Sequence, residues 1–172
     1  LQVPDLAFKI QWLKEALAKS RGKRVLVYCD SLQLGKQLSR DLGIPFIYGE
    51  TKNKFDAVMK AQQCILSKAI ETALDLTDLK LIVEVAVSRT GRSMISAGQR
   101  AGRAGHSRVT CDFVALMTPQ EYARFGDRLV GIEMMFGDVI TYRDLTGDAT
   151  QRRGATTRKP LASNDRGRRS GG

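Results

Sequence analysis

Short β-branched apolar runs alternate with helix-patterned stretches along this chain, and that alternation limits its folds to a small set. Arg24-Val25-Leu26-Val27-Tyr28-Cys29 is one such run, and Lys80-Leu81-Ile82-Val83-Glu84-Val85-Ala86-Val87 is another. Neither alternates in-and-out polarity, as a strand with one wet face would. Pro45-Phe46-Ile47-Tyr48, Gln63-Cys64-Ile65-Leu66 and Val109 to Met117 read as further strands. Between them lie helical stretches. Leu6, Ile10, Leu13 and Leu17 share one helix face, with Pro4 placed in the first turn, where its missing N–H costs no bond. Asp30-Ser31 caps a helix from Leu32 to Leu42, which Gly43 stops, and Lys54 to Lys60 is a short third helix. A stretch from about Met94 to Ala104 is helical too. Thr118, Pro119 and Glu121 stand at N-cap, N1 and N3 of a helix running to about Leu129, and Val139 to Tyr142 reads as a last short strand. Strands that alternate with helices and are apolar throughout predict an α/β fold, with a mostly parallel sheet covered on both faces.

After Gly147 the periodicity ends. Residues 151–172 hold seven basic residues and one acidic residue, so +6 of the chain's net +10 lies there. Such a segment cannot bury enough apolar surface to offset its ordering entropy. The expected organisation is an ordered domain over 1–147 and a basic flexible tail over 148–172. A basic tail suits phosphates or acidic partners; a solubilising tail has the same composition. No apolar run approaches the roughly 20 residues of a membrane span, and the chain does not open on a signal segment. Cys29, Cys64 and Cys111 are scattered, without zinc spacing, which predicts a reducing compartment and no metal site.

Ligands of parallel sheets sit at the carboxyl ends of the strands. The loops to inspect are therefore Asp30-Ser31, Gly49 to Asn53, Ser67 to Asp78 and Ser88 to Arg103. The last leads into Gln99-Arg100-Ala101-Gly102-Arg103-Ala104-Gly105-His106. Two arginines three apart share a helix face, and the glycines leave that face uncrowded. Each guanidinium is a permanently charged planar fork that matches phosphate oxygens. A solvated basic helix is the plainer reading of that stretch taken alone.

The stretch resembles motif VI of superfamily 2 helicases, Gln-Arg-x-Gly-Arg-x-Gly-Arg. Val25 to Ser31 is similar to motif IV, and Ser67-Lys68-Ala69-Ile70-Glu71-Thr72-Ala73-Leu74-Asp75-Leu76 to motif V, in the family's order. The wording is most like the XPB-type helicases (xeroderma pigmentosum group B). Pro45 to Gly49 with Thr51, and Arg128 to Val130 with Phe136 to Ile140, resemble that type as well. The resemblance spans about residues 20 to 142. Motif VI departs from the pattern in ending on His106; Ala73 and Ala97 also depart, and the segment between Gly49 and Ser67 is short.

The resemblance implies the second of two RecA-like domains, with ATP bound between them. The first domain would supply a phosphate loop and an acidic Mg²⁺ motif, and neither occurs here. Gly22-Lys23 and Gly35-Lys36 are followed by Arg and Gln rather than Ser or Thr. The expectation is half an engine, a piece of a longer chain or a separate subunit; Leu1 in place of Met fits a piece. By resemblance, Arg103 is the arginine finger, Arg100 also approaches the γ-phosphate, and Gln99 links that phosphate to neighbouring motifs. Asp75 lies near the nucleotide sugar or the domain interface. Ser67, Lys68 and Thr72 face the nucleic-acid backbone, as do Asp30, Ser31 and Thr51. The implied partners are DNA, the first RecA-like domain and a repair or transcription complex. The implied location is the nucleus in a eukaryote and the cytoplasm otherwise. A scaffolding module from a degenerate paralogue, or half of an RNA helicase, are the alternatives.

Overall fold

The computed structural model describes residues 1–67, 76, 78–86, 111–126 and 143–147. Among these, five strands form one sheet: β1 (Arg24–Cys29), β2 (Phe46–Ile47), β3 (Gln63–Leu66), β4 (Leu79–Ala86) and β5 (Asp112–Ala115). Their order is β2-β3-β1-β4-β5, and every pairing is parallel. Four helices are described: α1 (Leu6–Lys19), α2 (Leu32–Leu42), α3 (Lys54–Lys60) and α4 (Pro119–Phe125). These bounds follow the sequence expectation closely.

All six residues of β1 are buried, which explains the unbroken apolar run from Val25 to Cys29. Odd and even positions serve different layers, as a period of two requires. Val25, Val27 and Cys29 join Leu81, Val83 and Val85 under α1 and α2. Leu26 and Tyr28 join Cys64, Leu66 and Ile82 on the other face, with Val58 of α3. Full burial of each Val, Leu or Ile contributes about 1.5–3 kcal/mol, so these two layers dominate the stability of the sheet.

The helix ends are satisfied from nearby. Asp5 caps α1 by accepting from the Phe8 N–H at 2.8 Å. Pro4 therefore precedes the cap and does not lie in the first turn. Gln63 Nε2 donates to the carbonyls of Leu17 and Ser20 at the far end of α1. Arg24 is buried and does the same for α3, donating to the carbonyls of Val58 and Ala61, while its Nε pairs with Asp78 at 2.8 Å. Gly43, at φ +67°, ends α2 in the left-handed conformation, which suits glycine.

Two expectations need correction. The inward stripe of α1 is Lys9, Leu13 and Leu17, not the row begun by Leu6, which is exposed, with Ile10 half-buried. The stripe is rotated because the Lys9 ammonium finds partners inside. The i, i+3 spacing of Tyr122 and Phe125 predicts helix packing; Phe125 is half-buried, but Tyr122 is exposed and α4 buries none of its residues. This helix is held at its N-terminal end. Thr118 accepts from the Glu121 N–H at 3.2 Å, and Glu121 accepts from the Thr118 N–H at 2.8 Å. The expected helix from Met94 to Ala104, the strand Val139 to Tyr142 and the tail lie outside the described residues; α4 ends at Phe125, with Gly126 as its C-cap, short of the expected Leu129. Residues 1–3 run between Met117 and the stretch 143–145. Val3 N–H donates to Met117, and Leu145 N–H to Gln2.

Candidate functional site

The strand order reverses direction at β1. From β1 the chain goes outward to β2 and back to β3 on one side, then crosses to β4 and β5 on the other. The carboxyl ends of β1 and β4 thus flank a topological switch point, the position where open α/β sheets bind ligands. Register fixes the row of residues at that edge. Ile47 pairs with Leu66, Leu66 with Tyr28, Tyr28 with Glu84, and Glu84 with Ala115. The next residues along each strand form the rim.

Four of the ten sequence-predicted site residues fall among the described residues, and all four lie on this rim. Asp30 and Ser31 follow β1, Thr51 lies four residues beyond β2, and Ser67 follows β3. Asp30 is half-buried. Ser31 is exposed and caps α2, accepting from the Leu34 N–H at 3.2 Å. That use engages its oxygen as an acceptor and leaves its hydroxyl proton to donate. Thr51 behaves alike in a tight turn: its Oγ1 accepts from the Tyr48 N–H, and its own N–H donates to the Tyr48 carbonyl, both at 3.0 Å. Ser67 is 6% exposed and its N–H donates to Ile47. Its Oγ is buried without a hydrogen-bond partner among the described residues. An unsatisfied buried hydroxyl costs about 1–3 kcal/mol.

Lys68, Thr72 and Asp75 lie outside the described residues, as do Gln99, Arg100 and Arg103. The chain enters the segment bearing the arginines directly after β4, the strand beside the switch point.

Sequence reasoning missed three residues at or near this edge. Glu84 is buried in the centre of the sheet, where the surrounding apolar run hid it. Tyr48 was read as the end of a strand and part of the Pro45 to Gly49 resemblance, without a role of its own. Its ring stacks on Phe46 with centroids 5.0 Å apart, and Lys36 Nζ lies 5.4 Å above it. Lys9 was passed over on the face of α1, although its spacing with Leu13 and Leu17 is helical.

Gly35-Lys36 has a structural role that excludes it as a phosphate cradle. Gly35 lies against the Phe46 ring, so closely that a Cβ there would overlap Cζ. The cysteines are not activated. Burial pushes the thiols of Cys29 and Cys111 up to about 11 and that of Cys64 up to about 12. The carboxylate of Asp30 adds to the effect at Cys29, and that of Asp112 at Cys111.

No family model matches the chain. The protein named as the DNA 3′-5′ helicase Rad25 of Haloarcula marismortui is 28% identical over 127 residues, covering 67% of this chain and 20% of the relative. The DNA repair helicase/translocase XPB-R of Trypanosoma brucei brucei is 29% identical over 99 residues, covering 53% of this chain and 12% of the relative. The chain is similar to superfamily 2 helicases of the Rad25/XPB type. It spans a fifth or less of the length of these curated relatives. Among solved structures, the C-terminal domain of the DEAD-box protein Dbp5 superposes with a TM-score of 0.60 at 16% identity, over 81% of this chain and 84% of that one. The Mycobacterium smegmatis helicase Lhr, bound to single-stranded DNA and AMP-PNP, gives a TM-score of 0.59 at 18% identity, over 83% of this chain and 22% of that one. The parallel sheet is thus the RecA-like fold that the motif resemblance implied.

Proposed function

We propose that the chain is the second motor domain of an ATP-dependent superfamily 2 DNA helicase or translocase of the XPB type. The observation that carries this reading is the rim. Ser31, Thr51 and Ser67, from three loops separate in sequence, come to one edge of the sheet beside its switch point. The exposed Ser31 and half-buried Thr51 keep a hydroxyl proton to donate, which suits sequence-independent contacts to phosphate oxygens, while Ser67 Oγ is buried at the same edge. Asp30, a carboxylate in the same row, keeps phosphates on the hydroxyls beside it. Lys68 and Thr72 extend the path along the backbone.

ATP is the substrate and arrives with Mg²⁺. The packing of Gly35 against Phe46, which rules out Gly35-Lys36 as a phosphate cradle, supports a nucleotide held mainly by another RecA-like domain. Arg103 and Arg100 then reach the γ-phosphate across the cleft, Gln99 bonds beside them, and Asp75 lies by the sugar. Charge that grows on the phosphoryl group during transfer is neutralised by Arg103. Loss of the γ-phosphate after hydrolysis removes the anchor of both arginines, and the cleft reopens with a shifted grip on DNA. The same reading gives the parent protein a place in a repair or transcription complex, in the nucleus of a eukaryote or otherwise in the cytoplasm.

The test joins this chain to its first RecA-like domain and measures DNA-stimulated ATP hydrolysis. Arg103→Ala is expected to lower turnover by about 10³–10⁵, the range of arginine fingers in related NTPases. Turnover near wild type would remove Arg103 from the reaction. The 172-residue chain alone is expected to hydrolyse no ATP and to bind DNA weakly and in a salt-sensitive manner.

A further inference from the structure

Among the described residues, five large apolar side chains stand exposed: Leu6, Leu32, Phe55, Met59 and Tyr122. Leu32 and Phe55 are the most exposed, at 52% and 54%, and both lie in the first turn of a helix that starts from the proposed DNA-binding rim. Phe55 follows Thr51 by four residues. Between them Asn53 adopts φ +49°, a left-handed conformation that Asn tolerates better than most residues, and turns the chain into α3. Val58, three residues on, is buried and anchors the helix on the sheet, while Phe55 faces solvent.

The surroundings of Phe55 fit one class of occupant. Lys52 is exposed and Lys54 half-buried beside it, and Lys60 is exposed at the end of the helix; Glu50 and Asp56 are the acidic neighbours. Lys36 adds a fourth cation over Tyr48, just before the same turn. The apolar surface on α3 is only the Phe55–Met59 pair, one turn apart. A stable protein interface buries about 800 Å² per partner, far more than two side chains offer. A nucleobase needs one ring face, with cations alongside for its phosphates.

We propose that Phe55 is a base-stacking platform at the outer end of the rim, and that it makes the chain favour single-stranded over duplex nucleic acid. The proposal rests on the reading of the rim as a nucleic-acid path and adds the element that recognises unpaired bases. Hydroxyls hold the backbone of one strand, and the ring of Phe55 takes a base that no partner strand covers.

Fluorescence anisotropy with a labelled oligothymidylate of about 12 nucleotides tests it on the whole chain. Phe55→Ala is expected to weaken binding about tenfold, and Phe55→Trp to retain it with quenching of the new indole fluorescence in a Trp12→Phe background. On an abasic oligonucleotide of equal length and charge, and on duplex DNA, wild type and Phe55→Ala are expected to bind alike. Because the side chain faces solvent, the melting temperature should not move. Equal binding of both proteins to oligothymidylate overturns the proposal and leaves the rim reading standing, the result expected if Phe55 and Met59 dock a protein. An equal loss on the abasic strand overturns it too. A wild-type chain that binds none of these probes sinks the rim reading itself, and this proposal with it.

Discussion

Lys9 Nζ lies 2.6 Å from Glu121 Oε2 and 2.6 Å from the carbonyl oxygen of Val85, so one ammonium joins α1, α4 and the end of β4. The same carboxylate oxygen accepts from the Thr118 N–H and closes the capping box of α4. An element with no buried residue of its own is thereby fixed to the core. Lys9→Met removes the cation, leaves the Val85 carbonyl unpaired and strands a partly buried carboxylate. Breaking a buried pair from one side costs about 3–5 kcal/mol; Glu121 keeps some solvent contact, so a loss of about 2–4 kcal/mol is expected in urea denaturation. A loss below about 1 kcal/mol would show that the pair does not hold α4.

Gly35 and Phe46 make a second tight relationship. An alanine in the middle of α2 would normally add about 1 kcal/mol of helix stability. Here the new methyl would overlap the Phe46 ring at Cζ. Overpacking of this kind costs about 1–3 kcal/mol, so Gly35→Ala is expected to destabilise. Combined with Phe46→Leu, it should cost less than the sum of the two single changes. Additive single effects in the double-mutant cycle would mean that the ring yields freely.

Most of the fold was legible because its signals are local. Apart from the buried Glu84, the runs Val25 to Cys29 and Leu81 to Ala86 are apolar on both faces, a pattern that a parallel sheet buried on both sides produces and few others do. Ser31, Thr118 and Gly43 mark helix ends by their own chemistry, and the structure uses each as such. What was not legible is long-range. Lys9 stands 112 residues from Glu121, and nothing in the pattern of α1 marks a lysine as inward-facing. The convergence of Asp30, Ser31, Thr51 and Ser67 on one edge needed strand order and register, which periodicity does not carry. The motif resemblance supplied that link for the rim, but said nothing of Phe55, whose exposure depends on the turn at Asn53.

The thiols make stability depend on alkaline pH. Their folded-state pKa values, about 11 for Cys29 and about 12 for Cys64, lie above those of an unfolded chain. The unfolded chain therefore loses these protons first and holds fewer of them at high pH. Stability is full below about pH 8.5 and falls as pH rises toward the folded values. Each thiol contributes a slope of up to about 1.4 kcal/mol per pH unit. Urea midpoints measured between about pH 8.5 and 10 should fall more steeply for wild type than for Cys64→Ala. Parallel slopes would mean that Cys64 ionises equally in both states.

Residues 148–172 lie outside the described residues, yet their charge makes a prediction of its own. Seven basic residues against one acidic residue from Gln151 to Gly172 would release counterions from DNA if they touch phosphates. The logarithm of the binding constant falls with the logarithm of salt by about 0.9 per phosphate neutralised on duplex DNA and about 0.7 on a single strand. Truncation after Gly147 should therefore weaken binding at low salt and flatten the salt dependence by about 2–5 units, depending on how many of the seven side chains engage at once. The change should be similar for wild type and Phe55→Ala, because stacking on a ring releases no ions. Anisotropy titrations across a salt series separate the two contributions, and a slope unchanged by truncation would show that the tail serves something other than DNA.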